Sequence, residues 1–509
     1  MAALNGTNSP VSLGDGITLT APGLVGNADI LTGGPTEVRA AGLDVATPAF
    51  DSALKRASFE ELSTIILDVQ QQPPTEPTVV SRTLAGEEGM MLEVPDLGDT
   101  VGQVVLAIDN GVITWNFPQN PEGEIETAAS RGAGGQKRFV IRSQVPLADD
   151  LPGAQNRGLF GAMGKKILKV LVYPISDAIL GKIGEHYAGK WEEKNRPHNV
   201  RRFTTSDYQQ ALPEPLSDNE WQHLTSGRSL LFIHGTFSTA HGGFGQLPAS
   251  VLSELHNAYE GRIFAFDHKT LSVDPEDNVK WFIQLAQKKI AGTPGLDLDI
   301  ICHSRGGLVS RALAGELATT GLNNIRVGKV IFVAAPNQGT VLADPDHVVN
   351  FLDRYTSALD LAPPGPVGVV SDFLEAILTV VKVFGHAGLS GLDGLASMDP
   401  GGGFIARINN GAQITSRYFG MSSNYEPPGN LRNFTMMKIG DAVVDRVFKS
   451  ESNDLVVPTE GVNLGSANAD FPIPDHRSLR FPAGRSIWHS DFFGQSDTQQ
   501  KLRDWLLPP

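Results

Sequence analysis

Between residues 228 and 336 the chain alternates short unbroken apolar runs with stretches of helical period. SLLFIHG (229–235), RIFAFDH (262–268), LDLDIICHS (296–304) and RVGKVIFVAAP (326–336) read as buried strands. Between them LPASVLSELHNAYE (247–260), PEDNVKWFIQLAQKKI (275–290) and RGGLVSRALAGELA (305–318) read as helices, the second opening on proline and acids. This alternation predicts right-handed βαβ units and an α/β architecture, a mostly parallel sheet with helices on both faces. That region is expected to run over 228–509.

Upstream the pattern is shorter. GMMLEVP (89–95), QVVLAIDNGVITWNFP (103–118) and KRFVIRSQVP (137–146), with TVVSRTL (78–84), predict an N-terminal β-rich accessory domain over 45–150. DNG at 109–111 between two β-rich runs predicts a hairpin. FDSALKRASFEELSTIILDV (50–69) looks helical, and EGEIETAASRGAGGQ (122–136) reads as a flexible loop. Residues 1–44, rich in Gly, Thr, Asn and Pro, are expected to form a flexible arm, and 151–227 a helical and linker region. LFGAMGKKILKVLVYPISDAIL (159–180) and DFLEAILTVVKVFG (372–385) look amphipathic. Each has two readings: packing against the protein's own core, or contact with lipid or an oily substrate.

Composition and charge narrow the function classes. A net charge of −15 repels phosphate backbones and argues against nucleic acid as a partner. The single cysteine, Cys302, excludes an intrachain disulfide and Cys-based zinc sites. No basic-then-apolar leader and no long uncharged apolar run is visible, so a cytoplasmic chain is expected, with leaderless secretion as the open alternative.

The chemistry points to Ser304. The strand DIICH runs into it and a helix begins at once, the strand–turn–helix setting in which a serine Oγ stands clear. Close strand–helix approach demands small residues two before and two after. Gly306 meets the second requirement, and Cys302 occupies the first, where glycine is usual. Negative charge developing beside Oγ needs backbone N–H donors. Arg305, at the helix start, is one candidate, and Thr236, after His234-Gly235 in LLFIHGTFSTAHGGFG (230–245), is the other, with Phe237 next to it at the substrate side. His234 is expected to brace the loop. A serine also needs a base and an orienting acid later in the chain. Asp454 in SNDLVVPTEG and His489 in SIWHSDFFG fit that order. Asp441, Asp445 and His476 are rivals; His241, His268 and His303 come too early to be the base, and His303 is expected to line the site.

These stretches resemble the α/β-hydrolases, and within them bacterial lipases and esterases. HSRGGLVSRAL resembles their nucleophile segment, FIHGTF their oxyanion loop, GLDGLASMDPGGGFIARIN (391–409) a segment that follows their lid, and NDLVVP and WHSDFF their acid and histidine loops. The resemblance covers about 228–509. It implies an α/β-hydrolase fold with a helical lid or cap insertion at about 341–403, no catalytic cofactor or metal, and hydrolysis of a small acyl ester or lipid through an acyl-enzyme. It implies Ser304, Asp454 and His489 as the triad and Thr236 and Arg305 as the backbone donors; His234, Gly235, His303 and Gly306 are read from their own positions as supporting residues. Phe373, Ile377, Leu378, Val381 and Phe384 form the cap's apolar stripe, which either lines an acyl channel or packs the cap on the core. A phospholipase, thioesterase or amidase with the same triad, and a non-catalytic binding or scaffold protein on a hydrolase fold, stay open as alternatives. Chain-length preference, oligomeric state and any structural calcium cannot be read from the sequence.

Overall fold

The computed structural model describes residues 1–31, 48–71, 89–98, 100–109, 112–119, 135–142, 164–175, 183–211, 213–343, 348–349, 352–353, 356, 369–387, 392–426 and 451–507. The N-terminal strands form two antiparallel sheets. One runs in the order Ala2–Asn5, Val25–Leu31, Glu60–Gln71, Gly164–Pro174, Val101–Asp109, Val112–Asn116. The other runs Val11–Gly14, Ile17–Thr20, Gly89–Pro95, Gln136–Arg142, Pro118–Gln119. Leu19, Leu92 and Phe139 from the second meet Ile65, Leu67, Val105, Leu168 and Val170 from the first in one core, so the sheets pack face to face as a sandwich.

Three expectations are corrected here. The arm expected over 1–44 supplies four strands within residues 1–31. At four to seven residues each, and separated by turns such as Gly14-Asp15-Gly16 with positive φ, they are too short to show a period. The helical look of 50–69 divides into a helix, Pro48–Arg56, and a strand, Glu60–Gln71, with Ser58 in the left-handed region at the break. The segment expected to be an amphipathic helix at 159–180 holds instead the strand Gly164–Pro174, paired on both edges inside the first sheet. The sandwich therefore reaches past residue 150. The hairpin strands Val101–Asp109 and Val112–Asn116 do pair, Asp109 opposite Val112. Their two turn residues, the expected strand 78–84 and residues 122–134 of the loop expected over 122–136 lie outside the described residues, while Gln136 at that loop's end already belongs to the strand Gln136–Arg142.

The second half holds a seven-stranded sheet in the order Asn199–Arg202, Ile263–Asp267, Arg228–Ile233, Leu296–His303, Ile325–Val333, Arg417–Ser423, Ser478–Phe481. The first strand is antiparallel and the rest are parallel. The sheet thus begins before residue 228, inside the region expected to be linker. Successive strand side chains point to opposite faces. Leu231, Ile233, Ile300 and Phe332 meet the helices Pro275–Lys289 and Gly306–Thr320 on one face. Leu230, Phe232, Ile301 and Ile331 meet Ala249–Ala258 and Ser496–Leu506 on the other.

The region expected to hold a cap insertion contains the helix Val369–Ala387. Leu374, Ala376, Ile377, Leu378, Val380, Val381, Val383 and Phe384 are all buried, so most of the helix surface is covered, with Glu375 and Lys382 half-buried among them. Ile377, Leu378, Val381 and Phe384 therefore lie in a core; the side chain of Phe373 lies outside the described residues. Much of the cover is the N-terminal sandwich. Phe384 meets Phe117 edge-on with centroids 5.1 Å apart, Tyr173 OH donates to the Lys382 carbonyl at 3.3 Å, and Arg56 pairs with Glu375. Lys382 Nζ donates to the Ala57 carbonyl and sits 4.9 Å from the Phe59 ring centroid, and burial pushes its ammonium down to about 8. Trp115 fills the joint, its Nε1–H donating to Thr356 Oγ1 at 2.9 Å and its backbone N–H to Asp353 Oδ1 at 2.7 Å. Trp115→Ala is expected to cost about 3–5 kcal/mol of stability, read as a lowered urea midpoint; a loss under about 1 kcal/mol would place the joint elsewhere. Among the described residues no helix is long and apolar enough to cross a membrane.

Candidate active site

Leu296–His303 is a central strand, and at its end Ser304 takes φ 52°, left-handed for a residue with a Cβ. Its N–H donates to the Val333 carbonyl at 2.9 Å, so the neighbouring strand holds the turn. Two close approaches make the turn possible. A Cβ on Gly306 would lie 2.3 Å from the Ile233 carbonyl oxygen, and one on Gly235 would lie 2.5 Å from Ser304 Cβ. At the position where glycine is usual, Cys302 fits because its thiol turns beneath the sheet, with Sγ 3.3 Å from the Ile331 carbonyl oxygen. Burial pushes that thiol up to about 12, so it stays protonated.

Ser304 Oγ lies 2.9 Å from His489 Nε2, and His489 Nδ1 lies 2.8 Å from Asp454 Oδ2. Asp454 Oδ1 accepts from the N–H groups of Val456 and Val457 at 3.0 and 2.7 Å. A carboxylate only accepts, so Nδ1 carries the imidazole proton and Nε2 is left to accept from the serine. The His489 N–H donates to the Asp454 carbonyl at 3.0 Å, fastening the two loops directly. All three side chains are buried. This arrangement can take a proton from Oγ and hold the resulting imidazolium.

His303 lies beside His489, its Nε2–H donating to the His489 carbonyl at 2.9 Å. Its Nδ1 has no hydrogen-bond partner among the described residues. Burial, then the nearby His489, lowers His303 to about 3, so it is neutral. His234 is also buried and lowered to about 3 by burial. Its Nε2 accepts from the His268 N–H at 3.0 Å, which leaves Nδ1–H to donate to the Gly235 carbonyl. His268 Nε2–H returns a bond to the His234 carbonyl at 3.0 Å, and the two rings stack 4.3 Å apart. This pair braces the loop carrying Gly235, Thr236 and Phe237, where Phe237 has φ 59° and is buried. Thr236 Oγ1 donates to Met398 Sδ at 3.5 Å.

The rivals are apart from this cluster. His476 is exposed on a short turn, and His241 bonds Thr239 Oγ1 at 2.6 Å. Asp441 and Asp445 lie outside the described residues. Among the described residues no group of His, Cys, Asp and Glu converges as a metal would require. Met398 and Gly394 come from the 391–409 segment, whereas Glu192, which bonds the 270–272 loop, carries no mark in the sequence.

Residues 195–507 match the family model described as "Domain of unknown function (DUF7379)". No curated protein matches the chain at the level of sequence. Among solved structures the chain is similar to phospholipase PlaB from Legionella pneumophila, with 18% identity over 47% of this chain and 46% of that one and a TM-score of 0.31. It is similar to the mature lipase BlEst2 of Bacillus licheniformis, with 16% identity over 55% and 92% and a TM-score of 0.32. It is similar to lipase 1 from Pelosinus fermentans, with 14% identity over 53% and 94% and a TM-score of 0.36. The match spans less than half the length of the Legionella phospholipase.

Proposed function

We propose that this chain, which belongs to the DUF7379 family, is a serine hydrolase that cleaves carboxylic esters through an acyl-enzyme. The observation that carries the reading is the unbroken hydrogen-bonded series Ser304–His489–Asp454, with the serine on a left-handed turn between strand and helix. Ser304 Oγ attacks the ester carbonyl carbon while its proton passes to His489 Nε2. Asp454 holds Nδ1–H and stabilises the imidazolium. The tetrahedral oxygen takes the negative charge against the backbone N–H groups of Thr236 and Arg305, each worth about 2.7–4 kcal/mol to the barrier. Collapse expels the alcohol, which takes the proton back from His489. Water then attacks the acyl group, with His489 as base, and frees Ser304. The sandwich acts as the bed of the cap, a role supported by Trp115, Phe117 and Tyr173 against cap residues.

The test is hydrolysis of p-nitrophenyl esters from two to sixteen acyl carbons, beside a phospholipid, a thioester and an anilide. Turnover of the oxygen esters is expected, and the chain-length profile separates esterase from lipase. Turnover confined to phospholipid, thioester or anilide would move the substrate class and keep the triad. No turnover of any of them would favour the scaffold reading.

A further inference from the structure

The residue after the serine carries a feature that the reaction does not itself require. The Arg305 side chain is wholly buried, and its direct partners are neutral. Nε donates to the Gly394 carbonyl at 2.8 Å, and Nη2 donates to the Val273 carbonyl at 2.5 Å. Nη1 lies 3.5 Å from both the Lys269 carbonyl oxygen and His268 Nδ1. A buried cation demands compensation. It comes from across the 269–273 loop. Glu192, also wholly buried, accepts from the N–H groups of Thr270, Leu271 and Ser272 at 2.5, 2.8 and 2.9 Å and from Ser272 Oγ at 2.6 Å. The loop thus turns its N–H groups to the carboxylate and carbonyls at its ends to the guanidinium, so peptide dipoles link two charges that do not touch.

Two routes lead from this guanidinium to the Thr236 loop. One passes through His268 to His234, which braces Gly235. The other passes through Gly394, one turn before Met398, whose sulfur accepts from Thr236 Oγ1. Gly394 N–H also donates to the Leu271 carbonyl at 2.8 Å, and a Cβ at Gly394 would lie 2.1 Å from the Thr270 carbonyl oxygen, so this contact has no slack. We infer that the Arg305 guanidinium, balanced by Glu192, is the positioning group that fixes the distance between the two oxyanion donors. Arg305 supplies one donor from its backbone and sets the other through its side chain. The inference rests on the proposed ester hydrolysis at Ser304.

The experiment compares wild type with Arg305→Lys, Glu192→Gln and Met398→Leu. Lysine keeps the charge but cannot bridge Val273, Gly394 and His268 from one planar fork. For each variant that folds, kcat and KM for the best p-nitrophenyl ester are measured, with Ki for an alkyl boronic acid that forms a tetrahedral adduct. Misplacing a reacting group by about 1 Å costs about 10²-fold. Arg305→Lys is therefore expected to lower kcat and weaken the boronate by about that factor, with KM within about twofold. Met398→Leu, similar in volume, is expected to show the same split at smaller size. A purely structural role would lower Tm and leave kcat and boronate affinity of the folded fraction unchanged, and that result would overturn the inference. If Arg305→Lys does not fold, wild-type kcat and boronate affinity in both Glu192→Gln and Met398→Leu would overturn it equally. A wild type without ester turnover or boronate binding instead removes the proposed function, and the inference falls with it.

Discussion

Ser304→Ala is expected to lower kcat for ester hydrolysis by about 10⁶-fold while leaving Tm close to that of the wild type. The size follows from the loss of the attacking atom. Without Oγ no acyl-enzyme forms, and His489 can only assist water on a path lacking the covalent intermediate. What survives is catalysis by the oxyanion donors and by binding, about 10³–10⁴-fold over water in serine hydrolases that lack a triad member. The small effect on stability follows from the geometry. Alanine keeps the Cβ that packs against Gly235 and the backbone N–H that bonds Val333, and it loses only the hydroxyl bonded to His489. Initial rates of both proteins on one ester, with parallel thermal melts, check the claim. Residual activity above about one part in a hundred would mean that another group attacks.

Asp454→Asn is expected to cost about 10⁴-fold in kcat with the fold intact. The hydrogen bonds around the carboxylate explain why an isosteric change does so much. Oδ1 accepts from both Val456 and Val457, so the amide oxygen of asparagine is held on that side. Its NH₂ group then faces His489 Nδ1, which must become the acceptor. The ring proton moves to Nε2, where it meets Ser304 Oγ and blocks proton uptake. Steady-state kinetics of the variant at neutral pH check this. A loss under about tenfold would show that Asp454 does not orient the imidazole.

The parallel strands were legible because a strand buried on both faces is an unbroken apolar run, as in SLLFI and DIICH. Ser304 was legible for the same reason, since the run ends abruptly at a small polar residue followed by two glycines. Asp454 and His489 follow it in the order Ser, Asp, His, and the structure brings the three together. The strand Gly164–Pro174 was not legible as a strand. Its lysines at 165, 166 and 169 have helical spacing, and a segment apolar on both faces shows no period of two to set against it. Strand pairing with Glu60–Gln71 and Val101–Asp109, both distant in sequence, decides its state. The contacts of Trp115 and Phe117 were hidden likewise, because they lie some 240 to 270 residues from their partners Thr356 and Phe384. Glu192 matters only through a loop 78 to 80 residues away, so no local pattern marks it.

The most direct test of the account is covalent labelling with a fluorophosphonate, followed by intact mass and peptide mapping. The account predicts one phosphonyl group per chain, on the peptide containing Ser304, with labelling abolished in Ser304→Ala and greatly slowed in Asp454→Asn. An unlabelled wild type, or an adduct on any other residue, would contradict it.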